Sequence, residues 1–328
     1  MAVKLSDVAK RAGVSVTTCS RVINNHGYLS QKTKDKVFQA MKELNYQPNS
    51  LARSLQGKRM NLVGLIFPNI TNPFFAELIE TIEEKLFLKG YKVILCNAGR
   101  DKDKEREYLK MLSANQVDGI IAGAHNLGIE EYQKLGLPIV SFDRKLSNQV
   151  PIVSCDNYQG INLAVHDLLQ AGCKNIYFLG NKNRKGNPTD QRLQAYLDAA
   201  KENKFEPHIR SVAFSDSVLL KNMRIHQMLE DDHPDGVVAT DDLTAILVLQ
   251  EAAKLGIKVP EELKVIGFDG TQEIQTYHSE LSTIAQPIED IATVLVDLLL
   301  QRISDPNKKL EQMQYKLPVK LIKSRTTA

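Results

Sequence analysis

The chain has 328 residues, 43% hydrophobic and 25% charged, which is too long for one ordinary compact domain and ample for a real core. No apolar run approaches the ~20 residues a bilayer crossing needs, and the amphipathic opening MAVKLSDVAKRAGV is not a secretion signal, so a cytoplasmic protein is expected, with no membrane partner. The net charge of +3 conceals an asymmetry: residues 1–60 carry eleven cations against three acids, a net +8, and the remainder 31 against 36, a net −5. A basic head on an acidic body fits a polyanionic partner as well as a merely solvated surface.

In chain order, Ser6 is the candidate N-cap of a first helix that runs to Ala12, with Gly13 in the stop position. A second helix starts after Ser15 and runs through Ile23. A third starts at Thr33, with Val37, Met41 and Leu44 at helical spacing, and Pro48 marks its end. Two helices joined by the tight turn Gly13-Val14-Ser15 have the form of a helix-turn-helix. In such a unit the N-terminal residues of the second helix face base edges in the major groove. Here those residues are Val16 and Thr17, with Arg21 one turn further on. Val16 can meet a thymine methyl, Thr17 can hydrogen-bond or offer its methyl, and Arg21 can fork onto guanine O6 and N7. Leu5, Val8, Ala9, Val14 and Val22 form the expected small core. Residues 49–56 are a further helical candidate, too short to stand alone, and Gly57-Lys58-Arg59 is a basic linker.

Beyond residue 60, short apolar runs alternate with amphipathic segments. Strands are expected at 62–67, 92–96, 119–122, 139–142 and 152–154, then at 175–179, 210–213, 236–239, 264–268 and 283–285. Helices are expected at 75–89, 104–115, 161–171, 192–202, 218–230, 243–255 and 288–302. This alternation predicts parallel sheets covered by helices. The strands are too many for one sheet and repeat after a break near residue 160, so two doubly wound lobes are expected, with helix 288–302 crossing back to the first. The helix face Leu78, Ile79, Ile82 and Leu86 suits burial within its lobe as well as between subunits.

Ligands of open α/β sheets sit outside the carboxyl ends of the strands, so the cleft between the lobes is the expected site. Strand 62–67 leads to Asn69, Asn72, Phe74 and Phe75, and strand 139–142 leads to Asp143 and Arg144. Strand 236–239 leads to Asp241 and Asp242, 264–268 to Asp269, and 283–285 to Gln286. Carboxylates and arginine pair with vicinal hydroxyls, and aromatic rings cover the apolar face of a sugar, which together suit a polyol. His125 lies near this cleft. Lys182, Arg184 and Lys185 suit a phosphate or a solvated loop. No G-x-G-x-x-G, P-loop, G-x-S-x-G or H-E-x-x-H occurs. Cys19, Cys96, Cys155 and Cys173 have no zinc spacing and read as small buried hydrophobes. No catalytic residue, metal or cofactor is expected.

The run Asp7-Val8-Ala9-Lys10-Arg11-Ala12-Gly13-Val14-Ser15, with Thr18 and Ser20-Arg21-Val22-Ile23-Asn24, resembles the LacI family of regulators. So do Asn45-Tyr46-Gln47-Pro48-Asn49 and Ala52-Arg53-Ser54-Leu55. The resemblance implies a small all-α helix-turn-helix head at 1–48, a hinge helix and linker at 49–59, and a ligand-binding and dimerisation core at 60–328. That core is an α/β body like the two-lobed periplasmic sugar-binding proteins, with lobe one at about 60–160 and 290–322 and lobe two at about 161–289. Implied DNA contacts are Val16, Thr17, Thr18, Arg21, Asn24, Tyr46, Asn49, Ala52, Arg53 and Leu55. Leu55 matches a wedge that enters the minor groove and parts a base step. Implied ligand contacts are Asn72, Phe74, Phe75, Asp143, Arg144, Arg192, Phe214, Asp241, Phe268, Asp269 and Gln286. Asp241 stands where asparagine is common, which removes an amide donor.

The implied partners are double-stranded operator DNA, a small carbohydrate effector and a second copy in a homodimer. Segments 4–10, 27–30, 51–57, 118–121, 125–130 and 141–144 resemble the sucrose operon repressors of Gram-positive bacteria, which implies sucrose, fructose or a phosphorylated relative. The core alone would also fit a sugar-binding transport component without a regulatory role. The basic head and the missing export signal oppose that alternative.

Overall fold

The computed structural model of the chain describes residues 3–24, 26–47, 59–124, 126, 128–180, 187–214 and 216–328. Pro48, Asn49, Ala52, Arg53 and Leu55, and with them the expected hinge helix, lie outside those residues, as do His125, Lys182, Arg184 and Lys185. Two compact units are formed, Met1–Met60 and Asn61–Ala328.

The first unit holds α1 (Leu5–Ala12), α2 (Val16–Ile23) and α3 (Gln31–Glu43). Ser6 is not the cap of α1. The Lys4 backbone N–H donates to the Asp7 carboxylate at 2.8 Å, which fixes Lys4 as the N-cap. Gly13 ends α1 at φ +66, a left-handed conformation that costs glycine nothing. Ser15 caps α2 by accepting from the Thr18 N–H at 3.0 Å. In the same way Ser30 caps α3 through the Thr33 N–H, so Thr33 is the third residue of that helix rather than its start. Val8, Ala9, Ala12, Cys19, Val22, Val37 and Ala40 form the core, and Arg11 ties α1 to Glu43 of α3 at 2.6 Å.

In the second unit the strands are β1 (Leu62–Phe67), β2 (Lys92–Asn97), β3 (Gly119–Ala122), β4 (Ile139–Phe142), β5 (Ile152–Cys155) and β6 (Ile176–Gly180). They continue as β7 (His208–Ser211), β8 (Gly236–Ala239), β9 (Lys264–Asp269), β10 (Ser282–Ala285), β11 (Gln314–Leu317) and β12 (Lys320–Ile322). The larger helices are α4 (Pro73–Leu88), α5 (Lys102–Ala114), α7 (Asn157–Gln170), α8 (Gln191–Asn203), α9 (Val218–Asp231), α10 (Asp242–Leu255) and α12 (Ile288–Ser304). The short α6 (Glu131–Lys134) and α11 (Gln272–Tyr277) complete the set. One sheet runs β11-β5-β4-β3-β1-β2 and the other β12-β10-β9-β8-β6-β7, all parallel except the antiparallel β10–β12 pair. At Gly64 on β1 an added Cβ would lie 2.6 Å from Leu112, so α5 sits directly on the strand. α12 returns to pack on α4 and on β3, β4 and β5.

The chain therefore passes between the lobes three times, after β5, after β10 and after β11. Residues 320–322 pair with β10 and belong to lobe two, which corrects the assignment of all of 290–322 to lobe one. β11 and β12 were not expected as strands because both are short, half-exposed edge strands of mixed polarity, QYKL and KLI. Leu78, Ile79, Ile82 and Leu86 of α4 are buried within the single chain, which favours the intra-lobe reading. All four cysteines are buried and carry no disulfide.

Candidate functional site

In the first unit the exposed face of α2 carries Val16, 49% exposed, with Thr17 and Arg21. Arg21 lies back along the loop after the helix, its Nε donating to the His26 carbonyl at 3.3 Å. Gly27, at φ +75, leaves room for the guanidinium; a Cβ there would collide with Arg21 Nη2. Three other expected DNA contacts within the described residues, Thr18, Asn24 and Tyr46, have structural partners. Thr18 Oγ1 meets the capping Ser15 Oγ at 2.8 Å, Asn24 Nδ2 donates to the Ser20 carbonyl at 2.8 Å, and Tyr46 packs against the small core.

In the second unit a cavity of about 700 Å³ opens at the carboxyl ends of the strands of both sheets. It has the size of small-molecule sites in general. Asn72, Phe74, Phe75, Asp143, Arg144, Arg192, Phe214, Asp241, Asp269 and Gln286 all line it. Phe268 does not. Its ring lies beneath Arg192, with the guanidinium carbon 3.6 Å from the ring centroid, so it supports a lining residue from behind.

Local structure explains these positions. Asn72 caps α4, its Oδ1 accepting from the N–H groups of Phe74 at 3.0 Å and Phe75 at 3.3 Å. That turn aims two rings at the cleft. Phe75 of lobe one meets Phe214 of lobe two edge to face at 6.2 Å, so an aromatic pair spans the opening. Asp143 follows β4 at φ +51 and Asp269 ends β9 at φ +125, both sparsely populated conformations for a non-glycine residue. Arg144 donates through Nη1 to the Ala124 carbonyl.

Asn157, at the first crossing and fully buried, joins the two lobes. Its Nδ2 donates to Asp143 Oδ1 at 3.2 Å, and its Oδ1 accepts from Arg192 Nε at 2.6 Å. Arg192 Nη1 also donates to the Thr240 carbonyl at 2.5 Å. Opposite, Gln286 Nε2 donates to Asp269 Oδ1 at 2.8 Å, while Gln286 Oε1 is buried without a hydrogen-bond partner. Asp242, the neighbour of Asp241, does not line the cavity. It accepts from Gly270 N–H at 2.7 Å and Thr283 Oγ1 at 2.5 Å, and so holds the turn that presents Asp269.

Burial pushes the Asp143 carboxyl up to about 6, against the opposing pull of Arg192 and the Asn157 hydrogen bond. Burial likewise holds Asp269 well above the usual carboxylate range. A carboxyl raised in the folded state stabilises the fold least when ionised. The second unit is therefore expected to lose stability as pH rises from about 4 through about 6. Hydroxyl donors favour the ionised form, so a polyol should bind more tightly as pH rises across that window and should release protons on binding within it. Calorimetry at pH 5 and 7 in buffers of different ionisation heat checks this; equal affinities and no proton release would contradict it.

The strand-end rule also reaches cavity residues that were not singled out: Arg100 and Lys102 beyond β2, Asn126 beyond β3 and Thr240 beyond β8. Asn187, Thr189 and Asp190, in the turn before α8, had no such signal. Asn157, which had no signal, acts behind the wall, as does Phe268, which was expected at its surface. Among the described residues no three His, Cys, Asp or Glu side chains gather to hold a metal, and no helix is long and apolar enough to cross a membrane.

Residues 4–49 match the family described as bacterial regulatory proteins, lacI family, and residues 165–327 match a periplasmic binding protein-like domain. The chain is 57% identical over 323 residues to a sucrose operon repressor of Pediococcus pentosaceus, covering 98% of this chain and 99% of that protein. A lac repressor dimer bound to operator and the anti-inducer ONPF superposes with a TM-score of 0.86 at 27% identity, over 100% of this chain and 99% of that one. A periplasmic binding protein/LacI transcriptional regulator from Alkaliphilus metalliredigens QYMF, complexed with D-xylulofuranose, matches with a TM-score of 0.74 at 30% identity, over 82% of this chain and 99% of that one.

Proposed function

Because this chain belongs to the lacI family of bacterial regulatory proteins, we propose that it represses a sugar-utilisation operon in response to a carbohydrate of the sucrose or fructose type bound in the cleft. It grips operator DNA through α2, with Val16, Thr17 and Arg21 as the base-reading residues. Its relatives are transcriptional repressors, and its role is regulation rather than turnover, exercised in the cytoplasm where the operator is.

One observation carries the effector class. The buried acceptor Gln286 Oε1 lacks a donor, and two buried carboxylates, Asp143 and Asp269, line the same cavity. A buried acceptor left unmatched costs about 1–3 kcal/mol, and a ring of hydroxyls facing all three would supply the missing donors. The aromatic walls Phe74, Phe75 and Phe214 suit the apolar face of the same ring. The lac repressor dimer and the D-xylulofuranose complex support the homodimer and the furanose-sized site respectively. The exposed apolar residues Val218, Leu219 and Met223 on α9 offer surface for a second copy.

A ligand touching Asp143 of lobe one and Asp269 of lobe two favours one lobe arrangement. Operator affinity then shifts by the ratio of the ligand's affinities for the two states. The test is a thermal-shift screen with sucrose, fructose and their phosphates, followed by a gel shift on DNA selected from a random duplex pool. The expected result is one sugar that raises the melting temperature and changes the retarded band. A protein that ignores every duplex at low salt, with and without sugar, overturns the reading.

A further inference from the structure

Asp241 looks into the cleft, and a chain of hydrogen bonds stands behind it. Its Oδ1 accepts from the Thr244 N–H at 2.7 Å, the capping bond of α10, and its Oδ2 accepts from Thr244 Oγ1 at 3.0 Å. The Thr244 hydroxyl spends its single hydrogen on that bond and in turn accepts from Lys221 Nζ at 3.3 Å. Lys221 projects from α9 and is only 7% exposed. Among the described residues Thr244 Oγ1 is its one hydrogen-bond partner, and no carboxylate pairs with it directly. A buried ammonium needs a compensating charge, and the nearest link on this chain of bonds leads to Asp241. The bonds all run one way, ammonium to hydroxyl to carboxylate, so each polarises the next.

We propose that Lys221 is a positioning residue for the effector site: acting through Thr244, its charge fixes Asp241 as an acceptor-only carboxylate at the cleft wall. That wall then selects ligands presenting a hydroxyl donor and rejects groups that only accept. An aspartate at 241 and a lysine at 221 are in this view one device, and either alone leaves a charge unmatched. The inference rests on the cleft being the sugar site only for its effect on ligand choice; the coupling itself stands independently.

The experiment is a double-mutant cycle on the full chain with Lys221→Met, Asp241→Asn and the pair, read first as urea unfolding midpoints. Each single change is expected to lower the midpoint, and the pair to lie no lower than the worse single. Strictly additive shifts overturn the proposal. Should Lys221→Met fail to fold, Thr244→Ser and Thr244→Val replace it: serine keeps the bridge and the wild-type midpoint, and valine loses both. An unchanged midpoint in Thr244→Val overturns the relay.

Calorimetry with sucrose and fructose gives the second readout. Lys221→Met weakens whichever sugar the wild type binds by about 2- to 12-fold, the worth of one hydrogen bond. The same change on the Asp241→Asn background leaves that affinity unaltered. Equal affinity in wild type and Lys221→Met overturns the selective role. If the wild type binds neither sugar, the proposed effector class fails, and the unfolding cycle still decides the coupling.

Discussion

Arg192→Ala is expected to abolish the sugar response. The guanidinium holds Asn157 Oδ1 and the Thr240 carbonyl, stacks on Phe268, and is the positive charge that opposes the burial of Asp143 and Asp269. Hydrogen bonds to charged groups are worth about 1.5–3 kcal/mol each, so losing the donor set should weaken sugar binding by ~100-fold or more. The two carboxyls, left without their cation, should take up protons at still higher pH, which softens the structural loss below the ~3–5 kcal/mol of a broken buried ion pair. Operator binding without sugar should persist, because α2 belongs to the other compact unit. Calorimetry and a gel shift with and without sugar decide the matter. Sugar affinity within threefold of wild type would remove Arg192 from the site.

Arg21→Ala should weaken specific operator binding by about 1–3 kcal/mol and flatten the preference at one base pair, if Arg21 reads a guanine. Affinity for random duplex should fall far less. The guanidinium lies against the His26 carbonyl, in the space Gly27 leaves open. Gly27→Ala, which strains a φ of +75 and fills that space, should therefore also disturb operator binding while sparing the sugar site. A footprint and a salt dependence unchanged in Arg21→Ala would sink the recognition role of that side chain.

Much of this architecture was legible in one dimension because its determinants are local. Gly13 and Ser15 write the turn of the DNA-reading unit, and short apolar runs such as Leu62–Phe67 and Gly236–Ala239 can only be buried strands. The residues after those strands then fall at one edge of a parallel sheet by topology alone. What stayed hidden is what depends on partners far along the chain. Phe268 carries the right chemistry for a sugar platform, yet Gly160 lets its ring turn into the core beneath Arg192. Asn157 falls between the expected strand 152–154 and helix 161–171 and carries no signal until the fold brings Asp143 and Arg192 to its two ends. Asp241 serves as a helix cap and a cleft wall at once.

β11 and β12 are separated only by Pro318 and Val319, yet each closes the outer edge of a different sheet. Completion of both halves thus waits on one short stretch, residues 314–322. A product truncated before residue 314, or clipped by a protease just upstream, bares two strand edges at once, each a template for pairing with a neighbouring chain. Damage there should yield aggregates rather than a constitutively bound regulator.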